Sequence, residues 1–76
     1  MKINIDLVIQ DINDLSKKMI DEGVRPSFNE HSKRSGINKE TLRRLMNDKK
    51  FPSHLKIVNL LCDYTKRDYR EYIVND

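Results

Sequence analysis

Seventy-six residues make one small domain, which buries only about 60% of its unfolded surface and has little room for a catalytic cleft walled on all sides. Charged residues (36%) balance hydrophobic ones (37%), and there are 2 Gly and 2 Pro, a composition that is neither disordered nor fibrous and suits a helical bundle. The net charge of +3 conceals a block: residues 31–56 hold eight Lys and Arg against two acids, while the flanking segments are slightly acidic. Such a block draws a polyanion, although on charge alone a solvated surface explains it equally well.

Cys62 is the single cysteine, so there is no internal disulfide framework, and a free thiol fits a reducing compartment. Residues 1–10 show no basic segment followed by an apolar run, and no stretch approaches the roughly 18 apolar residues of a membrane span. A soluble, cytoplasmic protein with no membrane contact is therefore expected.

Five helices are legible, and no segment shows sustained strand alternation. The first is predicted from about Asp6 to Glu22, where Val8, Ile12, Leu15 and Met19 form an apolar stripe widened by Ile5 and Ile9. Asn4 and Asp6 are its candidate caps, Gly23 its stop, and Pro26 lies beyond. Asp11 and Asp14 are expected to face solvent. Ser27-Phe28-Asn29-Glu30 matches a capping box that opens a short second helix, Phe28 to about Arg34. Gly36 then turns the chain sharply, because it takes a positive φ without a Cβ penalty. Asn38 caps a third helix, Lys39 to about Asn47, with Leu42, Leu45 and Met46 on one face and Lys39, Glu40, Arg43, Arg44 and Asn47 on the other. A basic loop follows, from Asp48 to Pro52. Ser53 is expected to cap a fourth helix, about His54 to Tyr64, with Ile57, Val58, Leu60, Leu61 and Tyr64 available to the core. A last short helix, about Arg67 to Ile73, carries Tyr69, Tyr72 and Ile73.

Two short helices joined by a tight glycine turn, the second apolar inside and polar outside, follow the helix-turn-helix plan, here spanning about residues 28–47. In that plan the first helix crosses the phosphate backbone and the second lies in the major groove. The second therefore needs an inner stripe to hold it and an outer row of long polar side chains to reach base edges.

The stretch from Ser27 to Thr65, about half the chain, resembles the lambda-repressor-like, Cro/C1-type (XRE) helix-turn-helix family of bacteria and phages. The resemblance is carried by Ser27, Ser32, Gly36-Ile37-Asn38, Leu42, Leu45, Asn47 and the loop Lys49-Lys50-Phe51-Pro52-Ser53 ahead of an apolar helix. It implies an all-α domain, residues 1–76, that binds double-stranded DNA and regulates transcription, most simply as a repressor that occludes a promoter. It also implies that Asn38, Lys39, Glu40, Thr41, Arg43 and Arg44 read bases, and that Ser27, the Phe28 backbone, Lys33, Lys49, Lys50 and Ser53 meet phosphates. A homodimer through the C-terminal end would set two recognition helices one DNA turn apart, about 34–36 Å. The chain departs from the family at His31, where an aliphatic residue is usual, at Asp48, where Gly is usual, and in its long first helix.

Other readings of these residues stay open. Glu40 can pair with Lys33 or Arg44, or accept from cytosine N4. Lys33 and Arg34 equally suit the C-terminal dipole of the second helix. His31 is expected to be half-buried and hydrogen-bonded rather than a pH switch, His54 is a candidate phosphate contact, and Cys62 a semi-buried helix residue. There is no nucleophile–base pair, no Gly-rich phosphate loop and no zinc-site spacing among His31, His54 and Cys62, so neither an enzyme nor a metal or other cofactor is expected. No ligand pocket is evident. A fold of this kind could also serve as a protein-interaction module without DNA binding, as a DNA-binding antitoxin, or as the N-terminal domain of a longer regulator.

Overall fold

The computed structural model describes residues 2–74. In chain order its elements are β1 (Lys2–Ile3), α1 (Ile5–Asp21), α2 (Phe28–Ser35), α3 (Lys39–Asp48), α4 (Leu55–Thr65), α5 (Tyr69–Tyr72) and β2 (Ile73–Val74). The chain is a small all-α bundle whose only strands, among the described residues, are the two-residue pieces β1 and β2. These pair antiparallel, Lys2 opposite Val74 and Ile3 opposite Ile73, and the Asn4 N–H extends the clasp by donating to the Tyr72 carbonyl at 2.7 Å.

Side chains and left-handed residues fix the helix ends. Asn4 Oδ1 accepts from the Leu7 N–H at 3.2 Å to open α1. Its far end closes as a Schellman motif: Val24 N–H reaches the Met19 carbonyl and Gly23 N–H the Ile20 carbonyl, with Gly23 at φ 80°. Ser27 Oγ accepts from the Glu30 N–H at 3.1 Å, while the Glu30 carboxylate turns to Arg34 instead of completing the reciprocal half of the box. Asn38 Oδ1 accepts from the Glu40 N–H at 2.8 Å at the start of α3.

Three sequence expectations are corrected at the C-terminal end. The residue before α4 is His54, not Ser53, and it makes no side-chain capping bond. The last helix shrinks to one turn, capped by Asp68 Oδ1 on the Arg70 N–H at 2.9 Å, and Ile73 belongs to β2. Tyr69 stays exposed, whereas Tyr72 is wholly buried.

The core is formed by Val8 and Ile12 of α1, Ile37 of the glycine turn, Leu42 and Leu45 of α3, Leu61 of α4 and Tyr72 of α5. α1 packs against α3, α4 and α5, and α2 against α3 and α4. Asp11 lies inside, contrary to expectation. Its carboxylate accepts from Arg67 Nε at 2.6 Å and Nη2 at 2.9 Å, and the Tyr72 hydroxyl donates to it at 2.5 Å. That hydroxyl also lies 2.7 Å from Thr65 Oγ1. Burial alone would raise the Asp11 carboxyl, but the hydrogen bonds from Arg67 and Tyr72, with the guanidinium charge, outweigh it and hold the group below the usual carboxylate range. Burial and the adjacent carboxylate push the Tyr72 phenol upward.

Candidate nucleic-acid interface

The glycine turn is built from the backbone outward. Gly36 sits at φ 79°, and its N–H donates to the Ser32 carbonyl at 2.9 Å. A Cβ added there would meet Leu60 Cδ2 at 3.6 Å, an ordinary contact, so conformation and not space selects glycine. The next residue, Ile37, is fully buried, and its two polar backbone groups must find partners. Both come from α2: Ser35 Oγ accepts from the Ile37 N–H at 3.0 Å, and Ser32 Oγ donates to the Ile37 carbonyl at 2.6 Å. Two serines thus lock the angle between α2 and α3.

α3 leaves that turn with Leu42 and Leu45 sealed in the core, Thr41 and Met46 half-buried, and Lys39, Glu40, Arg43, Arg44 and Asn47 exposed, together with the cap Asn38. The helix period predicted this division. At the far end Lys49, the residue after Asp48, takes the left-handed conformation at φ 55° and closes the helix. Its N–H donates to the Leu45 carbonyl at 3.2 Å. The loop then folds back beside α3, so that Thr41, Arg44, Lys50, Phe51 and Pro52 line a concavity of about 250 Å³. Its lining thus includes two base-reading candidates, Thr41 and Arg44, and a phosphate candidate, Lys50. Ser53 and His54 are exposed beyond it.

The exposed row is not uniformly cationic. Arg43 Nε donates to Glu40 Oε2 at 3.0 Å, and Arg43 Nη2 donates to Glu40 Oε1. Arg44 Nε lies 3.7 Å from the same Oε1. The hydrogen bonds from Arg43, reinforced by its charge and those of Arg44 and Lys39, hold the Glu40 carboxyl below its usual range, and Glu40 in turn raises Arg43. Of the pairings left open by the sequence, Arg44 is a distant partner and Lys33 is not used; Arg43, three residues on, takes the carboxylate.

On α2 the two basic residues part company. Arg34 pairs with Glu30 and Glu22, each at 3.2 Å, and staples the end of α2 to the end of α1. Lys33 is exposed on the outer side. Ser27 is exposed at the start of α2, where its hydroxyl oxygen serves the cap and Phe28 packs half-buried against the core.

His31 is 4% exposed and anchors α2 from behind. Ser16 Oγ lies 2.8 Å from its Nε2 and the Tyr64 hydroxyl 2.6 Å from its Nδ1, with the two rings edge-on at 5.8 Å. A neutral imidazole donates at one nitrogen and accepts at the other, and the two hydroxyls satisfy both. Burial, aided by the Arg34 charge and opposed by Glu30, lowers its pKa. Although no pocket was legible in the sequence, an open, mainly apolar hollow of about 340 Å³ lies beside it, lined by Ile12, Ser16, Pro26, Ser27, Phe28, His31 and Met46. Cys62 is half-buried, and burial raises its thiol.

Among the described residues no group of three or more His, Cys, Asp or Glu could hold a metal ion, and no helix is long and apolar enough to cross a membrane. Comparison of the chain with protein-family models, with curated proteins and with solved structures gives no match.

Proposed function

We propose that this protein binds double-stranded DNA sequence-specifically, with α3 in the major groove, and regulates transcription, most simply by occluding a promoter. The observation that carries the reading is the two-sided α3. Its inner face is clamped by Leu42 and Leu45 and by the serine-locked turn, while its outer face offers Lys39, Arg43, Arg44 and Asn47 to solvent beside the Lys49–Lys50 loop. A rigid mount with long donors on the outside is what base readout requires. Asn38, Thr41 and Glu40 sit where the helix start would meet base edges, and the α2 start at Ser27 and Phe28, with Lys33, Lys49, Lys50 and Ser53, would grip the backbone on either side. The resemblance to the Cro/C1-type family supports the same reading from the sequence.

Selection from a random-sequence duplex pool at physiological salt tests it, with wild type and the Arg43→Ala/Arg44→Ala double variant side by side. One enriched motif, weakened about tenfold or more or altered in the double variant, is the expected result. A palindromic motif would indicate a dimer. No enrichment by wild type would overturn the proposal. The rival reading, a protein-binding module, draws on Leu55 and Ile20, large apolar side chains that stand 65% and 63% exposed. It predicts binding with little salt dependence, whereas phosphate contacts make DNA affinity fall steeply with salt.

A further inference from the structure

In the outer row of α3, Glu40 is the acid among Lys39, Arg43, Arg44 and Asn47, and it stands in the first turn of the helix. A carboxylate placed there opposes approach to phosphates, so it weakens indiscriminate binding unless something in the groove compensates it. Its pairing with Arg43 shows what that compensation would be. The guanidinium is held from its Nε side, through Nε and one N–H of Nη2. The outward edge keeps a donor on each of Nη1 and Nη2, the fork that fits guanine O6 and N7. Each Glu40 oxygen takes one bond from Arg43 and retains acceptor capacity, the chemistry that meets a cytosine N4 amino group. Along a helix, three residues advance about 4.5 Å, close to the spacing of adjacent base pairs, so both groups can reach one pair or two neighbouring ones.

We infer that Glu40 is the positioning and specificity-determining residue of α3: it presets the Arg43 guanidinium for one guanine, accepts from the N4 group of a cytosine in the same or the adjacent pair, and cancels the attraction of Arg43 for phosphates elsewhere. The inference rests on the proposal that α3 enters the major groove. It assigns a G·C pair as the chemical feature read by the start of the helix. Fixing the side chain beforehand also reduces the ordering cost of binding.

The test compares wild type, Glu40→Gln and Arg43→Lys of the full chain in the same duplex selection. Binding to the selected site and to a scrambled duplex is then measured across a salt series. Glutamine keeps the size and one acceptor oxygen but loses the charge. The expected Glu40→Gln result is about a tenfold loss of discrimination confined to one G·C position or to two adjacent ones, tighter binding to the scrambled duplex, and a log–log salt slope steeper by about one. Arg43→Lys, unable to present a planar fork, loses preference at the same position. A Glu40→Gln variant that keeps the wild-type motif, discrimination and salt slope overturns the inference and leaves DNA binding standing. A wild type that enriches no motif overturns both. Because Glu40 is exposed and Gln is an equally good helix former, the variant folds, and matched thermal unfolding curves check this.

Discussion

Besides the exposed Arg34 staple, two polar clusters built around buried residues fasten α1 to the rest of the bundle, and they are of opposite chemistry. Toward the middle of α1, Ser16 holds His31 of α2, which in turn holds Tyr64 of α4, an uncharged relay of two hydroxyls and one imidazole. A little earlier, Asp11 holds Arg67 and Tyr72, an ion pair reinforced by a phenol beside Thr65. The first sits behind the helix-turn-helix and steadies its front helix; the second ties down the C-terminal turn, on another side of α1. The neutral cluster stays satisfied by choosing a tautomer. The ionic one keeps a desolvated carboxylate only while the guanidinium and the phenol remain in place, so losing one member leaves more behind unpaired.

Asp11→Ala should therefore give the largest effect. It strips the wholly buried Tyr72 hydroxyl of its carboxylate and leaves Arg67 with Glu71, 3.2 Å from its Nη1, for a loss of roughly 2–3 kcal/mol. In a domain of this size that lowers Tm on the order of 10 °C or more, readable by calorimetry. An Asp11→Ala protein with wild-type Tm would mean that water replaces the carboxylate at no cost. His31→Phe should cost less, about 1–2 kcal/mol in chemical denaturation, because the half-buried Ser16 and Tyr64 hydroxyls can turn toward solvent while the ring still fills its place.

The clusters should also separate by pH. The folded chain holds His31 below the ordinary 6.5, so the unfolded chain takes up the proton first. Stability from this group is complete above about pH 6.5 and declines as the pH falls toward the folded value. His31→Phe should flatten that part of a stability–pH curve and leave the rest unchanged. Asp11 is also lowered, from 3.8, so its contribution is present above that value and is lost in stronger acid, as pH falls through the folded value. Of the two variants only Asp11→Ala should make the acid limb shallower, and Glu40 and Asp68, whose carboxyls are also lowered, keep it from becoming flat. Last and smallest, the double variant should equal the sum of the two singles to within about 0.5 kcal/mol, since the clusters share no hydrogen-bonding partner. A larger deviation would mean that α1 transmits strain from one to the other.

Legibility in the sequence followed the range of the interaction. Caps act within three or four residues, and Asn4, Ser27, Asn38, Gly23 and Gly36 all stand where the sequence put them. The two faces of α3 were readable for the same reason, since one period decides both. The Asp11–Arg67 pair, 56 residues apart, has no local signature. A signal existed nonetheless: Asp11 falls three residues after Val8, four before Leu15 and eight before Met19, squarely on the apolar stripe of α1. An acid in such a row implies a buried partner. Two-residue strands carry no alternation to detect, which is why the clasp was missed and the last helix overextended. On the outer face of α3, the partner of Glu40 depended on rotamers that spacing alone leaves open.

The clasp between β1 and β2 has a kinetic meaning. It joins opposite ends of the described chain, so it closes the largest loop available and wins few local contacts in return. Helix pairs such as α2 and α3 close short loops and belong to the early, fast part of folding. The strand pair, on this argument, is expected to complete the fold after that barrier is passed. Weakening Ile3 or Ile73 should therefore leave the folding rate nearly untouched and appear mainly as faster unfolding, so that the least conspicuous element of the bundle helps to prolong the native state.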